Sequence, residues 1–361
     1  MRTTHALMLA TLPALFLAGC NLEDDNDTPT NGSGDSSSGD FESVMLDAST
    51  SWAFLSLDQA AEVTVNDDWD LAFFGTSTRV NPERVASAIL AEQSEFYDAD
   101  GDALANIFTN ATANSEEEHL LASYDLSSVA FKTETTDAAL GRDGENFYDY
   151  IFATHKVPAN DDAWWVVRSA EGDSFAKLNF TYSYRNPETG ALSLEADFFV
   201  QANGEATYDT TAVTWTATVA DGDENCFDFD AGASVDCDSS TAWDLKLKVD
   251  GHSFLMLTNG GVSGSGEAGV LEAMTEAEAD EELDGTAFNE RAFLQDKGEN
   301  AITSNPWYAY DLLGGHGIWP NFRVYGIQNI ETEDVMLVQL INYYNAADAS
   351  RHITVRFRPA D

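Results

Sequence analysis

Residues 147–167 read FYDYIFATHKVPANDDAWWVV, and residues 307–325 read WYAYDLLGGHGIWPNFRVY. Laid over each other, Phe147 meets Trp307, Tyr148 meets Tyr308, Tyr150 meets Tyr310, His155 meets His316 and Pro158 meets Pro320. Downstream, AKLNFTYSY (176–184) meets MLVQLINYY (336–344); upstream, DDWDLAFF (67–74) meets TAWDLKLK (241–248). Three blocks in one order, about 160 to 174 residues apart, identify an internal duplication. Around them, short alternating runs end in Gly, Asn or Asp, the pattern of antiparallel strands joined by hairpin turns. The expected fold is therefore mostly β: two tandem antiparallel β-rich domains, 42–205 and 206–361, with minor helix. Helical spacing is confined to ERVASAILAEQSEFY (83–97) and VLEAMTEAEADEELDG (270–285).

The chain opens differently. Arg2 precedes an apolar run from Ala6 to Ala18, which ends in Leu17-Ala18-Gly19-Cys20. The run is too short to span a bilayer and reads as a signal-peptide core over 1–19. Small residues directly before Cys20 resemble the bacterial lipobox, which implies cleavage and lipid attachment at Cys20. Acyl chains contribute ~0.8 kcal/mol per buried methylene, enough for durable anchoring when several are present. Leu22, where an Asp would stand in the enterobacterial inner-membrane sorting pattern, points to the outer membrane, on its periplasmic or its surface face. Residues 20–41 are acidic and rich in Ser, Gly and Asn, the composition of a disordered tether.

Composition removes one class of partner. With 63 acidic and 17 basic side chains the formal net charge is −46, so nucleic-acid binding is excluded. Hydrophobic content of 43% is ample for packed cores, and the 11% aromatic share favours strands. Three cysteines are present, and in an oxidising compartment Cys226 and Cys237 are expected to pair. Closing that short loop contributes ~3 kcal/mol on the loop-entropy account.

These residues resemble a known family, the HmuY-like haem-binding lipoproteins. The resemblance rests on Ser51-Trp52-Ala53-Phe54, on the hairpin Trp69-Asp70-Leu71-Ala72-Phe73 through Arg79-Val80-Asn81, and on Tyr148, His155, Pro158, Val167-Arg168, Gly172 and Lys177-Leu178-Asn179-Phe180. The second repeat keeps a Gly-rich loop, Asn259 to Gly264, and lacks the Arg and the Lys. Together the repeats cover nearly all of the chain after the tether. The resemblance implies haem held by two side chains, commonly two His. It also implies delivery to a TonB-dependent outer-membrane receptor. His155 and His316 match the family's ligand position before the Pro turn, and His119 stands where a partner for His155 is expected. For His316 the best partner is Met274, a thioether that also serves as an axial ligand. Arg142, Lys156 and Arg168 are candidates to meet the propionates. His119 also reads as a solvated side chain beside three glutamates, His155 as a turn residue that packs, His252 as solvent-facing and His352 as structural.

Other chemistry is thinner. Asp98, Asp100 and Asp102 alternate like the start of a calcium loop, although Thr109 replaces the closing glutamate. Gly264-Ser265-Gly266-Glu267-Ala268-Gly269 matches a dinucleotide pattern, but its setting is antiparallel β and not a βαβ unit. No catalytic constellation stands out, so the expected class is a binding protein and not an enzyme. The rival reading is an adhesion or scaffold lipoprotein, calcium-stabilised, that binds protein or glycan through aromatic surface.

Overall fold

The computed structural model describes residues 41–281 and 293–361; Cys20, the signal segment and the tether through residue 40 lie outside them. The first repeat forms β1 (Glu42–Asp47), β2 (Ala53–Ser56), β3 (Ala61–Val63), β4 (Leu71–Phe74), β5 (Ser77–Val80) and β6 (Val85–Ala91). It continues with α1 (Ala105–Phe108), α2 (Glu117–Leu121), β7 (Thr135–Asp137), β8 (Trp164–Arg168), β9 (Phe175–Arg185) and β10 (Leu192–Gln201). The second forms β11 (Val213–Val219), β12 (Glu224–Asp228), β13 (Ala233–Val235), β14 (Leu245–Asp250), β15 (Ser253–Thr258), β16 (Gly269–Val270) and α3 (Glu276–Glu281). After residue 292 come β17 (Lys297–Glu299), α4 (Ala301–Ser304), β18 (Tyr308–Tyr310), β19 (Ile318–Pro320), β20 (Val324–Asn329), β21 (Val335–Tyr344) and β22 (Ser350–Pro359). The molecule is mostly β, and all named strand pairs are antiparallel.

The sheets do not follow the cut at 205/206. One five-stranded sheet runs β11-β10-β9-β8-β16 and the other β1-β22-β21-β20-β6, so the two have the same order built from opposite ends of the two repeats. The two four-stranded sheets, β3-β2-β4-β5 and β13-β12-β14-β15, also correspond. An inner core, drawn from residues 139–270, packs Trp165, Phe180, Phe198, Trp215, Phe227 and Leu247 between its two sheets. An outer core packs Leu55, Leu71 and Phe73 from one chain end against Trp307, Tyr325, Val338 and Phe357 from the other. Each repeat thus gives its front half to one core and its back half to the other. The expected boundary at 205/206 does not divide the cores, since each draws on residues from both sides of it.

Some hydrogen bonds correspond between the two halves. Leu57 N–H donates to Asp70 Oδ2 at 2.8 Å, and Phe229 N–H donates to Asp244 Oδ2 at 2.8 Å. Asn81 N–H reaches the Asp70 carbonyl as Asn259 N–H reaches that of Asp244. Asn179 and Gln339 side-chain amides each donate to two backbone carbonyls. One detail of the alignment changes: Tyr148 faces Ala159 where Tyr308 faces Pro320, so Ala159, and not Pro158, is the counterpart of Pro320.

Of the two expected helices, 83–97 instead contains β6, paired with β20, followed by a single 3-10 turn at Ser94–Phe96. Val85, Ala86, Ser87 and Ala88 are all buried, and a run buried on both faces carries no period that separates strand from helix. In 270–285 the described helix is α3 alone. Cys226 and Cys237 are disulfide-bonded with Cα atoms 5.4 Å apart, tying the outer end of β13 to β12.

Candidate ligand-binding site

The two quoted stretches fold into a matched pair of hairpins, one at each core. In the first, Phe147 is fully buried and Asn160 N–H donates to its carbonyl; in the second, Trp307 is buried and Asn321 N–H donates to its carbonyl. These anchors hold the hairpin bases, and the tips project. His155 adopts a left-handed φ of 55°, and His316 of 60°. A non-glycine residue there carries strain that the surroundings must hold in place. They do so in different ways: His155 N–H donates to the Ile151 carbonyl at 2.8 Å, and His316 N–H to Asp311 Oδ1 at 2.7 Å. The outcome is the same. Tyr150 Oη is hydrogen-bonded to His155 Nδ1 at 2.5 Å, and Tyr310 Oη to His316 Nδ1 at 2.6 Å. The Nε2 atoms of both rings have no hydrogen-bond or ion-pair partner among the described residues. Large apolar side chains stand in solvent beside them: Phe152 is 81% exposed, with its ring 6.1 Å from that of His155, and Leu313 is 60% exposed.

Behind the first tip, further residues of the first repeat hold the second. Arg168 Nε donates to the Glu267 carbonyl, and its guanidinium lies 5.2 Å from the Phe293 ring centre. Gly172 has φ 82°, and a Cβ there would run into the Glu267 side chain. Lys177 is buried, with Nζ 4.9 Å from the Trp164 ring centre, 4.8 Å from that of Phe199, and 2.5 Å from Asp280 Oδ1 on α3. Arg168, Gly172 and Lys177 therefore pack against residues of the second half, whereas Trp69-Asp70 and Asn81 bond locally around β2–β5.

Residues 48–195 match the HmuY protein family. The match takes in β2 through β9 and the start of β10. A solved structure from Bacteroides vulgatus described as that of an HmuY-like heme binding protein is similar at 11% identity, covering 87% of this chain and 89% of that one, with a TM-score of 0.29. That likeness is too loose to assign a ligand. No curated protein matches the chain.

The exchange of halves re-sorts the expected HmuY ligand pairs. His119 lies on α2, whose Leu120 packs with Val324 and Leu337, strands of the sheet under the His316 tip. Met274 bridges Trp164 and packs beside Leu271 and Val166, on the core that carries His155. His119 and His155 thus attach to different cores, and so do Met274 and His316. His119 Nε2 faces Glu116 Oε2 at 3.4 Å and Glu95 Oε1 at 3.9 Å. Of the cations expected near propionates, Arg142 is held by Asp137 and the Gln295 carbonyl and Arg168 is engaged as above, whereas Lys156 is exposed beside His155. His252 sits exposed in the β14–β15 turn, and His352 is held by the Ser350 carbonyl and faces Asp47.

No observation supports the calcium expectation at Asp98, Asp100 and Asp102. Asp98 Oδ1 accepts the N–H groups of Asp100 and Asp102, which closes a turn, and the three carboxylates are not among the described convergent groups. The dinucleotide pattern also resolves as packing: the loop 260–266 wraps Asn259, and a Cβ at Gly264 or Gly266 would collide with it. That loop lines a cavity of about 940 Å³, whose walls include Trp52, Phe74, Trp307, Tyr308 and Lys297 and no histidine. Sequence reasoning missed Tyr150 and Tyr310 as partners of the histidines. The signal was present, since both tyrosines align in the repeat.

Proposed function

We propose that this chain is a haem-binding lipoprotein of the outer membrane, anchored through Cys20, that captures haem at its hairpin tips and passes it to a TonB-dependent receptor. The observation that carries the reading is the Tyr150–His155 pair. A tyrosine hydroxyl on Nδ1 fixes the ring, and the remaining nitrogen is left for a metal, the arrangement in which histidine serves as a ligand. Exposed Phe152 and Ile151 supply apolar surface for a porphyrin face, and Lys156 supplies a cation for a propionate. Bound haem would bring an iron centre whose coordination, and not turnover, is the function. The net charge opposes two propionates only weakly, because screening at physiological salt acts beyond about 8 Å.

The residues fit one imidazole per tip, since His119 belongs to the other core. Titration with haemin should therefore give a shifted Soret band of five-coordinate character. His155→Ala should abolish most of it, with the remainder removed by His316→Ala. A free-haemin spectrum at every ratio would reject the haem reading. The second reading, a scaffold lipoprotein that binds another molecule, is favoured by one observation: the 940 Å³ cavity has aromatic walls and no histidine. A ligand seated there would shield Trp52 from an added quencher, whereas a ligand at the tips would not.

A further inference from the structure

We propose that Glu95, Glu116 and His119 form a site for a divalent transition-metal ion, with zinc the best match. The site does not depend on the haem reading and gives His119 a different task. Its three donor atoms all lie within 4.8 Å of one another. His119 Nε2 is 3.4 Å from Glu116 Oε2 and 3.9 Å from Glu95 Oε1. Neither contact is a hydrogen bond, although both carboxylates face the ring nitrogen. Donors at ordinary zinc distances occupy tetrahedral corners about 3.3–3.5 Å apart. The His119–Glu116 gap therefore already has the span of two ligands around one ion, and the half-exposed Glu95 is free to close by a few tenths of an ångström.

The spacing agrees. Glu116 and His119 are one helical turn apart, the Glu-x-x-His arrangement that points a carboxylate and an imidazole at one metal. Second contacts orient the set. Ser115 Oγ donates to Glu116 Oε1 at 2.9 Å, and the Tyr124 hydroxyl donates to the His119 carbonyl at 2.6 Å. The neighbouring glutamates have other places: Glu117 faces Arg356 at 3.7 Å, and Glu118 is exposed with no partner among the described residues. One imidazole and two carboxylates suit zinc better than calcium, which takes six or more oxygens. Three protein donors leave at least one position open to water or to a further ligand. An ion here would join the turn at Glu95 to α2 and so staple the excursion between β6 and β7.

The test is titration of the chelator-stripped full chain with zinc chloride by calorimetry, repeated with cobalt(II) by visible absorbance. One saturable equivalent is expected, and it should raise the thermal midpoint by mass action. His119→Ala and Glu116→Gln should each weaken it by about a hundredfold, and Ser115→Ala by about tenfold. Glu118→Gln should leave it unchanged, and circular dichroism should show all four variants folded. Cobalt should give a visible band that His119→Ala alters. Absence of saturable binding would overturn the proposal. So would retention of that equivalent in His119→Ala, or a loss in Glu118→Gln as large as in Glu116→Gln, which would mark diffuse attraction to an acidic surface.

Discussion

Asp244 concentrates the electrostatic tension of this fold in one side chain. Its two oxygens accept the N–H groups of Ala170 and Phe229, both at short range, which favours the charged form. Burial wins, with Asp230 and Asp228 adding repulsion, and the carboxyl is pushed up from 3.8 to about 8. Burial likewise raises Asp70, Glu134 and Asp296. A carboxyl raised on folding binds more protons folded than unfolded. Its contribution is complete below its unfolded value and is lost as pH climbs through the folded one. For Asp244 that window runs from 3.8 to about 8. The thermal midpoint should therefore be higher near pH 5 (about one unit above the unfolded value) than near pH 8. Asp244→Asn should flatten this slope. It should also cost ~1–3 kcal/mol, because a carboxamide offers one acceptor where two N–H groups need one each. Calorimetry at several pH values checks both. None of this is readable from a chain with 63 acidic residues, where sequence does not say which of them are buried.

Lys177 shows how a strand is tied to its neighbour. It stands on β9, passes between Trp164 and Phe199, and ends on Asp280 of α3. Asp280 is half exposed, so the ion pair by itself is worth little, and most of the contribution lies in the aromatic contacts and the buried stem. Lys177→Ala should destabilise by ~1–3 kcal/mol in urea unfolding, and Asp280→Ala by well under ~1 kcal/mol. The strands were mostly legible because alternation reports one buried face. β6 was not, since Val85–Ala88 are buried on both sides and Ala and Glu favour helix when nothing else decides. The tips were half legible: aligned histidines stood out, whereas their tyrosine partners looked like further strand aromatics.

The exchange of halves between the repeats is the property no local pattern reports. β1 pairs with β22 and not with β10, a choice that the local pattern of each strand leaves open. It makes a clear prediction. A single cut in the loop 202–212, between β10 and β11, should leave two pieces that co-elute on native gel filtration and part only in denaturant. Residues 42–205 produced alone should lack cooperative unfolding, because β1–β6 would have no β20–β22 to pair with. Independent folding of that fragment would mean that each repeat can also close on itself.

That pairing also sets a timetable for the chain as it leaves the ribosome. Everything the inner core needs has emerged once residue 294 is out. Strand β1, the first to appear, must wait for β22, some 300 residues later, before its edge is covered. Through that interval β1–β6 remain an unfinished half-sandwich with open edges, the state in which β proteins aggregate most readily. Late emergence of the last sixty residues, and not the strength of either finished core, is then the step at which a holding chaperone has the most to protect.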